Sequence, residues 1–501
     1  MPIQTAVSRL KRRRTKIVAT LGPASATRER IDALIAAGVE VFRLNFSHGS
    51  QEGHANTFHT VRAAADAAGR PVAVLGDLSG PKIRAGRFRG GAIELEDGAA
   101  VVVTVRDVEG EPGLIPSAYP ELADDVGSGD RILLDDGNLE LRVEAVEGTE
   151  IRCRVVSGGR LSDRKGINLP GVSVSAPSLT PKDREDAAFA LELGVDFLAL
   201  SFVRRPEDVV ALRELVADRD NGAALVAKIE KPEALERIEE ILEVSDGIMV
   251  ARGDLGVELP PEAVPIAQTQ LVDLARTRGK PVIVATQMLE SMVRNPRPTR
   301  AEVTDVSAAV RSGADAVMLS AETATGDHPV RAVEIMDRVI RETEGYMWHR
   351  AAFGSLVPSG GPGPGGAPGG SGSDVATDPV MAVHEAVSRA TGQLSRDLMV
   401  RAIVVPTRSG WSAAMVAASR PQAPVVAVSS EEGTCRRSSL LWGVVPVRSE
   451  EAADDPEGLQ ELARRVVRET GLAGPGDHIL RVWGFHSDER RNVPTLSVLM
   501  V

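Results

Sequence analysis

The chain has 501 residues, 43% apolar and 26% charged, enough for several domains with large cores. A net charge of −12 excludes non-specific binding to nucleic acid or anionic membranes, and an aromatic content of 3% leaves little for base stacking. Any anionic ligand must therefore meet a local cluster of Arg and Lys. Cys153 and Cys435 lie far apart, outside metal-ligand spacing, and read as structural thiols of a reducing compartment.

No apolar run approaches the length of a membrane span. The basic cluster Lys11–Arg14 has no apolar segment of signal-peptide type behind it. A transit peptide is the alternative, but the same arginines lead straight into a strand, so the expected location is cytoplasmic.

From Thr15 onward, short apolar strands alternate with amphipathic helices. The strands are expected at 16–21, 39–46 and 72–78, then at 195–202, 225–230, 247–251, 282–286 and 314–320. Helical patterns lie between them, as at 28–37, 183–193, 207–218 and 262–278. Eight such pairs predict a (β/α)8 barrel over 1–82 and 178–350. A doubly wound open sheet is the alternative, although no G-x-G-x-x-G follows the first strand. The interruption at 83–177 has short β-rich runs separated by Asp-Gly, Gly-Asn and Glu-Gly turns, and predicts an inserted small β-barrel lid domain. After a helix at 330–348, a Gly/Pro-rich linker or loop (351–376) precedes a C-terminal α/β domain at 377–501.

The stretch 223–255 carries the densest chemistry. Alternation along a strand puts Lys228 and Glu230 on one side, and the next strand ends in Arg252, Gly253 and Asp254. A cation beside a carboxylate, with a second carboxylate one strand away, suits a metal ion and a phosphorylated ligand. An ion pair between strand ends accounts for the same spacing. On the barrel reading, however, Thr20, Arg43, Asn45, Ser47, Asp77, Thr286, Ser320 and Glu322 fall on the same rim, where barrel enzymes react.

The segments KIVATLGPAS (16–25), VFRLNFSHG (41–49), LVAKIEKPEAL (225–235), MVARGDLGVELP (249–260), ATQMLESM (285–292) and AVMLSAET (316–323) closely resemble the pyruvate kinase family. The resemblance covers nearly the whole chain and implies transfer of the phosphoryl group of phosphoenolpyruvate to ADP, giving pyruvate and ATP. It implies Glu230 and Asp254 as ligands of Mg2+ or Mn2+, and the Gly253 and Asp254 backbone, with Thr286, as carboxylate contacts. Arg43 and Lys228 then face the transferring phosphoryl group. Thr286 and Ser320 stand near the protonation of the enolate. Asn45, His48, Arg84 and Lys165 are expected on the nucleotide side, and a homotetramer is expected as the assembly.

Two departures from the family stand out. Many members carry Asp-Thr-Lys-Gly-Pro-Glu where this chain has Asp77, Leu78, Ser79, Gly80, Pro81 and Lys82, and they use K+ at positions matching Asn45, Ser47, Asp77 and the Leu78 carbonyl. An ammonium at Lys82 predicts an internal cation and K+ independence; Lys82 turned to solvent would leave the K+ site open. The second departure is the ending WGFHSDERRNVPTLSVL (483–499), which leaves the effector unidentified. The loop Thr407, Arg408, Ser409, Gly410 and Ser412 resembles the family's site for a phosphorylated effector, and equally fits an ordinary strand–loop–helix turn. A carbon–carbon lyase barrel and a non-catalytic paralogue are the competing readings of the whole chain.

Overall fold

A computed structural model describes residues 13–217, 222–349, 382–450, 456–486, 490 and 492–501. The expected linker at 351–376, Lys11 and part of the 483–499 ending lie outside the described residues.

Eight parallel strands close into a barrel: Lys16–Thr20, Val41–Asn45, Ala73–Asp77, Phe197–Leu200, Ala224–Ile229, Gly247–Ala251, Val282–Ala285 and Ala316–Leu319. Each pairs with its sequence neighbours, and the first closes on the eighth through Lys16–Ala316 to Ala19–Leu319. Strand alternation sorts the side chains. Val18, Val41, Leu75, Ala199, Val226, Met249, Ile283 and Met318 fill the barrel, while Ile17, Leu44, Val74, Leu198 and Val250 pack under the helices. Two residues above the inner layer, the same parity brings Thr20, Arg43, Asp77, Ser201 and Lys228 to the C-terminal rim.

Local capping explains where the helices start. Thr180 and Thr299 form capping boxes with Asp183 and Glu302, and Gly194 and Gly313 end those helices in the left-handed region. The charged stretch after Glu230 is two short helices, Pro232–Glu236 and Ile238–Val244, broken where Arg237 leaves helical geometry (φ −112°, ψ 21°).

The insert is a curled six-stranded sheet, mostly antiparallel, with a separate two-stranded ribbon pairing Ala92–Leu95 with Gly159–Ser162. Its edge strands, Leu114–Pro116 and Ile167–Asn168, do not pair with each other, and it has its own core around Val103, Ile132, Leu141 and Ile151. The C-terminal unit is a five-stranded sheet ordered 444–448, 425–429, 403–406, 478–483 and 495–500, the last strand antiparallel.

That unit docks on the barrel face opposite the rim. Arg420 pairs with Asp315 (2.9 Å) just before the eighth strand, and Arg436 pairs with Asp196 (2.7 Å) just before the fourth. Lys16, at the start of the first strand, donates to the Val444 carbonyl (2.7 Å). Among the described residues, no helix is long and apolar enough to cross a membrane.

Candidate active site

The rim gathers a dense set of charges. Arg43 donates through Nε to Asp77 Oδ2 (2.6 Å) and through Nη1 to Thr20 Oγ1 (3.0 Å), while its Nη2 has no protein partner among the described residues. Lys228 Nζ lies 2.9 Å from Glu230 Oε1, 3.3 Å from Asp77 Oδ1 and 2.6 Å from Ser201 Oγ. Glu230 Oε2 accepts from the Phe202 N–H (2.8 Å). The Asp254 carboxylate accepts no hydrogen bond from the described residues, which leaves its oxygens available to a ligand.

Burial acts on each of these groups, and the partners decide the outcome. It disfavours the charge on Asp77, but Arg43 and Lys228 hold that carboxyl below its usual range. It also disfavours the Lys228 ammonium, yet Asp77 and Glu230 overcome it and the group is held above an ordinary lysine. Glu230 goes the other way: burial, with the Asp254 charge adding, raises it despite Lys228. A cation shared by Glu230 and Asp254 would relieve that raised carboxyl, so the donor set fits a hard divalent metal. No group of three or more His, Cys, Asp or Glu side chains suited to a metal occurs among the described residues.

A cavity of about 100 Å³ is lined by Arg43, Asn45, Ser47, Lys82, Lys228, Glu230, Asp254 and Thr286. A second, of about 310 Å³, opens beside it under the insert, lined by Arg84, Asp135, Lys165, Arg204 and Lys231; Lys82, Phe202 and Asp254 line both. Lys165 pairs with Asp135 (2.7 Å), and Arg84 donates to the Arg164 carbonyl (2.9 Å). Lys231, beside Glu230 in sequence, is buried against Glu258 (2.5 Å).

Thr286 has φ +67°, a strained setting for a β-branched residue. It is held there by Gly253 N–H donating to Thr286 Oγ1 (2.7 Å) and by Arg252 donating to the Thr286 carbonyl (2.7 Å). A Cβ at position 253 would lie 3.3 Å from that hydroxyl oxygen, so glycine gives the backbone room. The threonine hydroxyl spends its own proton on the Ala285 carbonyl (2.6 Å).

Not every expected residue joins the group. Ser320 has the right strand parity, but its backbone leaves the extended region (φ −106°, ψ −98°), and its buried Oγ has no hydrogen-bond partner and lines neither cavity. Glu322 is fully buried and accepts from the N–H groups of Ser320 and Leu289, a structural role. His48 lines neither cavity, and its carbonyl contacts His54 Nε2 (2.8 Å). Leu78 is buried, and its carbonyl accepts from Ser201 Oγ (2.7 Å). The Lys82 ammonium donates to Ser47 Oγ (2.9 Å), so its side chain folds toward the rim. Partial desolvation, with the Lys228 and Arg84 charges adding, lowers its pKa. Ser201 and Phe202 were not singled out from the sequence, although the strand alternation that marks Lys228 also applies to Ser201.

Far from the rim, Thr407, Arg408, Ser409 and Ser412 line a cavity of about 740 Å³ with Arg436, Arg437 and Asp196. Gly410 has φ +91°, its N–H donates to Thr407 Oγ1 (3.0 Å), and it lines the adjoining cavity.

A barrel rim lined with fixed cations and carboxylates, beneath an inserted sheet, defines an enzyme built for a charged, oxygen-rich substrate. Residues 12–333 match the family description "Pyruvate kinase, barrel domain" and residues 385–499 match "Pyruvate kinase, alpha/beta domain". A pyruvate kinase of Agrobacterium vitis is 44% identical over 491 residues, covering 98% of this chain and 97% of that one. One from Geobacillus stearothermophilus is 43% identical, covering 98% of this chain and 81% of the relative. A crystal structure of a pyruvate kinase from Cryptosporidium parvum superposes with a TM-score of 0.85 at 34% identity, covering 97% and 96% of the two chains. The chain belongs to the pyruvate kinase family and is a phosphotransferase. Membership of that family implies a divalent-metal requirement.

Proposed function

We propose that the enzyme transfers the phosphoryl group of phosphoenolpyruvate to ADP with Mg2+, or Mn2+ in its place, and without K+. The observation that carries this reading is the placement of Arg43, Lys228, Glu230 and Asp254 around one small cavity, next to a larger cleft lined by Arg84 and Lys165. Three residues common to both cavities make a short path between them.

In this reading phosphoenolpyruvate sits in the inner cavity and ADP in the cleft. A terminal ADP oxygen attacks the phosphorus, the bond from phosphorus to the enol oxygen breaks, and the electron pair leaves on pyruvate enolate. Arg43, held by Asp77 and Thr20, presents Nη2 to the transferring phosphoryl group. Lys228 faces both that group and the developing enolate oxygen. Glu230 and Asp254 would hold the metal, which supplies charge neutralisation when bound. Protonation at the enolate methylene carbon completes the reaction. Thr286 lines the cavity and fits a role there through water, while the buried Ser320 hydroxyl, which lines neither cavity, favours a supporting role. Lys82, turned toward Ser47, fits the part of an internal monovalent cation.

The 407–412 loop and the arginines facing it fit a phosphorylated effector. Pyruvate formation from phosphoenolpyruvate, ADP and Mg2+ in a potassium-free buffer tests the proposal. Formation that needs all three components supports it; pyruvate released without ADP points to hydrolysis of the phosphate ester, and none at all to a non-catalytic paralogue or a lyase.

A further inference from the structure

The rim lysine raises a question of geometry. Lys228 Nζ donates to Ser201 Oγ (2.6 Å) and lies at ion-pair distance from Glu230 Oε1 (2.9 Å) and Asp77 Oδ1 (3.3 Å). Two of these acceptors are shared with other partners. Asp77 is held by Arg43, and Glu230 is one of the two carboxylates suited to the metal. A cation on Glu230 competes with Lys228 for that carboxylate. Ser201 is the one neutral acceptor, so it holds the ammonium without cancelling the charge that the substrate must meet.

Ser201 is also built to stay put. Its side chain is buried, and its proton is committed to the Leu78 carbonyl (2.7 Å), so its lone pairs face Lys228. The following residue, Phe202, sits at φ +55° and is pinned at both ends of its peptide units. Its N–H donates to Glu230 (2.8 Å), and its carbonyl accepts from Ser178 Oγ (2.7 Å). A Cβ on Gly80 would come within 2.5 Å of the Phe202 ring, so the 78–80 segment packs directly against this turn. One turn thereby orients both the lysine and the glutamate.

We propose that Ser201 is a positioning residue of the phosphoryl-transfer site, whose hydroxyl, locked on the Leu78 carbonyl, fixes the Lys228 ammonium independently of the metal and of Arg43. The inference rests on the phosphoryl-transfer reading above. Ser201→Ala removes the neutral acceptor and leaves the ammonium less firmly held, free to shift from the place where it faces the substrate. A displacement of that kind costs about 100-fold in kcat.

The test compares wild type, Ser201→Ala and Ser201→Thr in kcat, KM for phosphoenolpyruvate, Mn2+ affinity by electron paramagnetic resonance, and melting temperature. Labelling of Lys228 by trinitrobenzenesulfonate, read by peptide mass analysis without substrate or metal, gives a measure that does not depend on turnover. The expected result is a kcat loss confined to Ser201→Ala, with KM and Mn2+ affinity within about threefold of wild type, faster labelling of Lys228, and recovery in Ser201→Thr. A kcat within threefold of wild type overturns the proposal. So does a parallel fall in kcat, Mn2+ affinity and melting temperature, or unchanged labelling of Lys228. A wild-type enzyme that forms no pyruvate refutes the phosphoryl-transfer reading instead, and labelling still decides whether Ser201 positions the lysine.

Discussion

Replacing Lys82 with glutamate converts the proposed internal cation into an anion at the place where the family resemblance leads one to expect a monovalent cation. The Lys82 ammonium donates to Ser47 Oγ at 2.9 Å and lines both the inner cavity and the cleft, with Asp254 among the residues common to the two. Fixed cationic donors at a developing charge are worth about 3 kcal/mol, or roughly 100-fold in kcat. Lys82→Glu is therefore expected to lose about that factor in potassium-free tetramethylammonium buffer, and to regain most of it on addition of K+, because the new carboxylate helps a monovalent cation to bind. A lactate dehydrogenase-coupled assay follows both effects.

The pH dependence gives an independent check on Lys82. Because desolvation and the nearby cations lower its pKa, Lys82 loses its charge on the alkaline side before an ordinary lysine does. Activity in potassium-free buffer should then fall at high pH, and K+ should rescue that limb while leaving the neutral plateau unchanged. A wild-type enzyme strongly activated by K+ at pH 7, or a Lys82→Glu variant indifferent to it, would refute the reasoning.

Other consequences are as specific. Glu230→Gln should abolish activity and weaken Mn2+ binding at least tenfold, measured by electron paramagnetic resonance, because it removes one of the two carboxylates. Thr286→Ala should slow exchange of solvent protons into the methyl group of pyruvate; an unchanged rate removes Thr286 from protonation. Arg420→Ala leaves Asp315 buried without its main partner and should destabilise the fold by about 3–5 kcal/mol in urea melts, with kcat unchanged in the surviving folded fraction. Lys16, its pKa lowered to about 8 mainly by burial, binds its proton less tightly folded than unfolded. Stability is therefore penalised below pH 8 and recovers as pH rises toward 10.5, so the advantage of Lys16→Met over wild type should shrink by about 3 kcal/mol across that interval.

The barrel was legible because its strands are buried on both sides and read as short apolar runs, each predicted within a few residues of where it lies. The rim was legible for the same reason: parity along a strand fixes which polar residue rises above the core, as for Arg43, Asp77 and Lys228. Parity fails where the backbone stops being extended. Ser320 obeys the pattern but turns away at ψ −98°, and Phe202 reaches Glu230 through a backbone N–H that no side-chain pattern records. The open edges of the insert were equally hidden, since turn signals locate hairpins but say nothing of whether the last strand meets the first.

The two faces of the barrel divide the labour of the molecule. Strand C-termini carry the candidate site, and strand N-termini carry the buried ion pairs that seat the C-terminal unit. Asp196 connects the two. Besides Arg436 it accepts from Arg62 (2.7 Å) and from the Val74 N–H (2.8 Å), and Val74 belongs to the strand that ends in Asp77. An anion in the 740 Å³ cavity would compete with Asp196 for Arg436, pulling on the base of the strand whose other end holds Arg43 and Lys228. Asp196→Asn weakens that tie while keeping its size, so it should change the response of kcat/KM to sugar phosphates or nucleotides more than it changes the basal rate. An equal change in both would mean that Asp196 only supports the barrel.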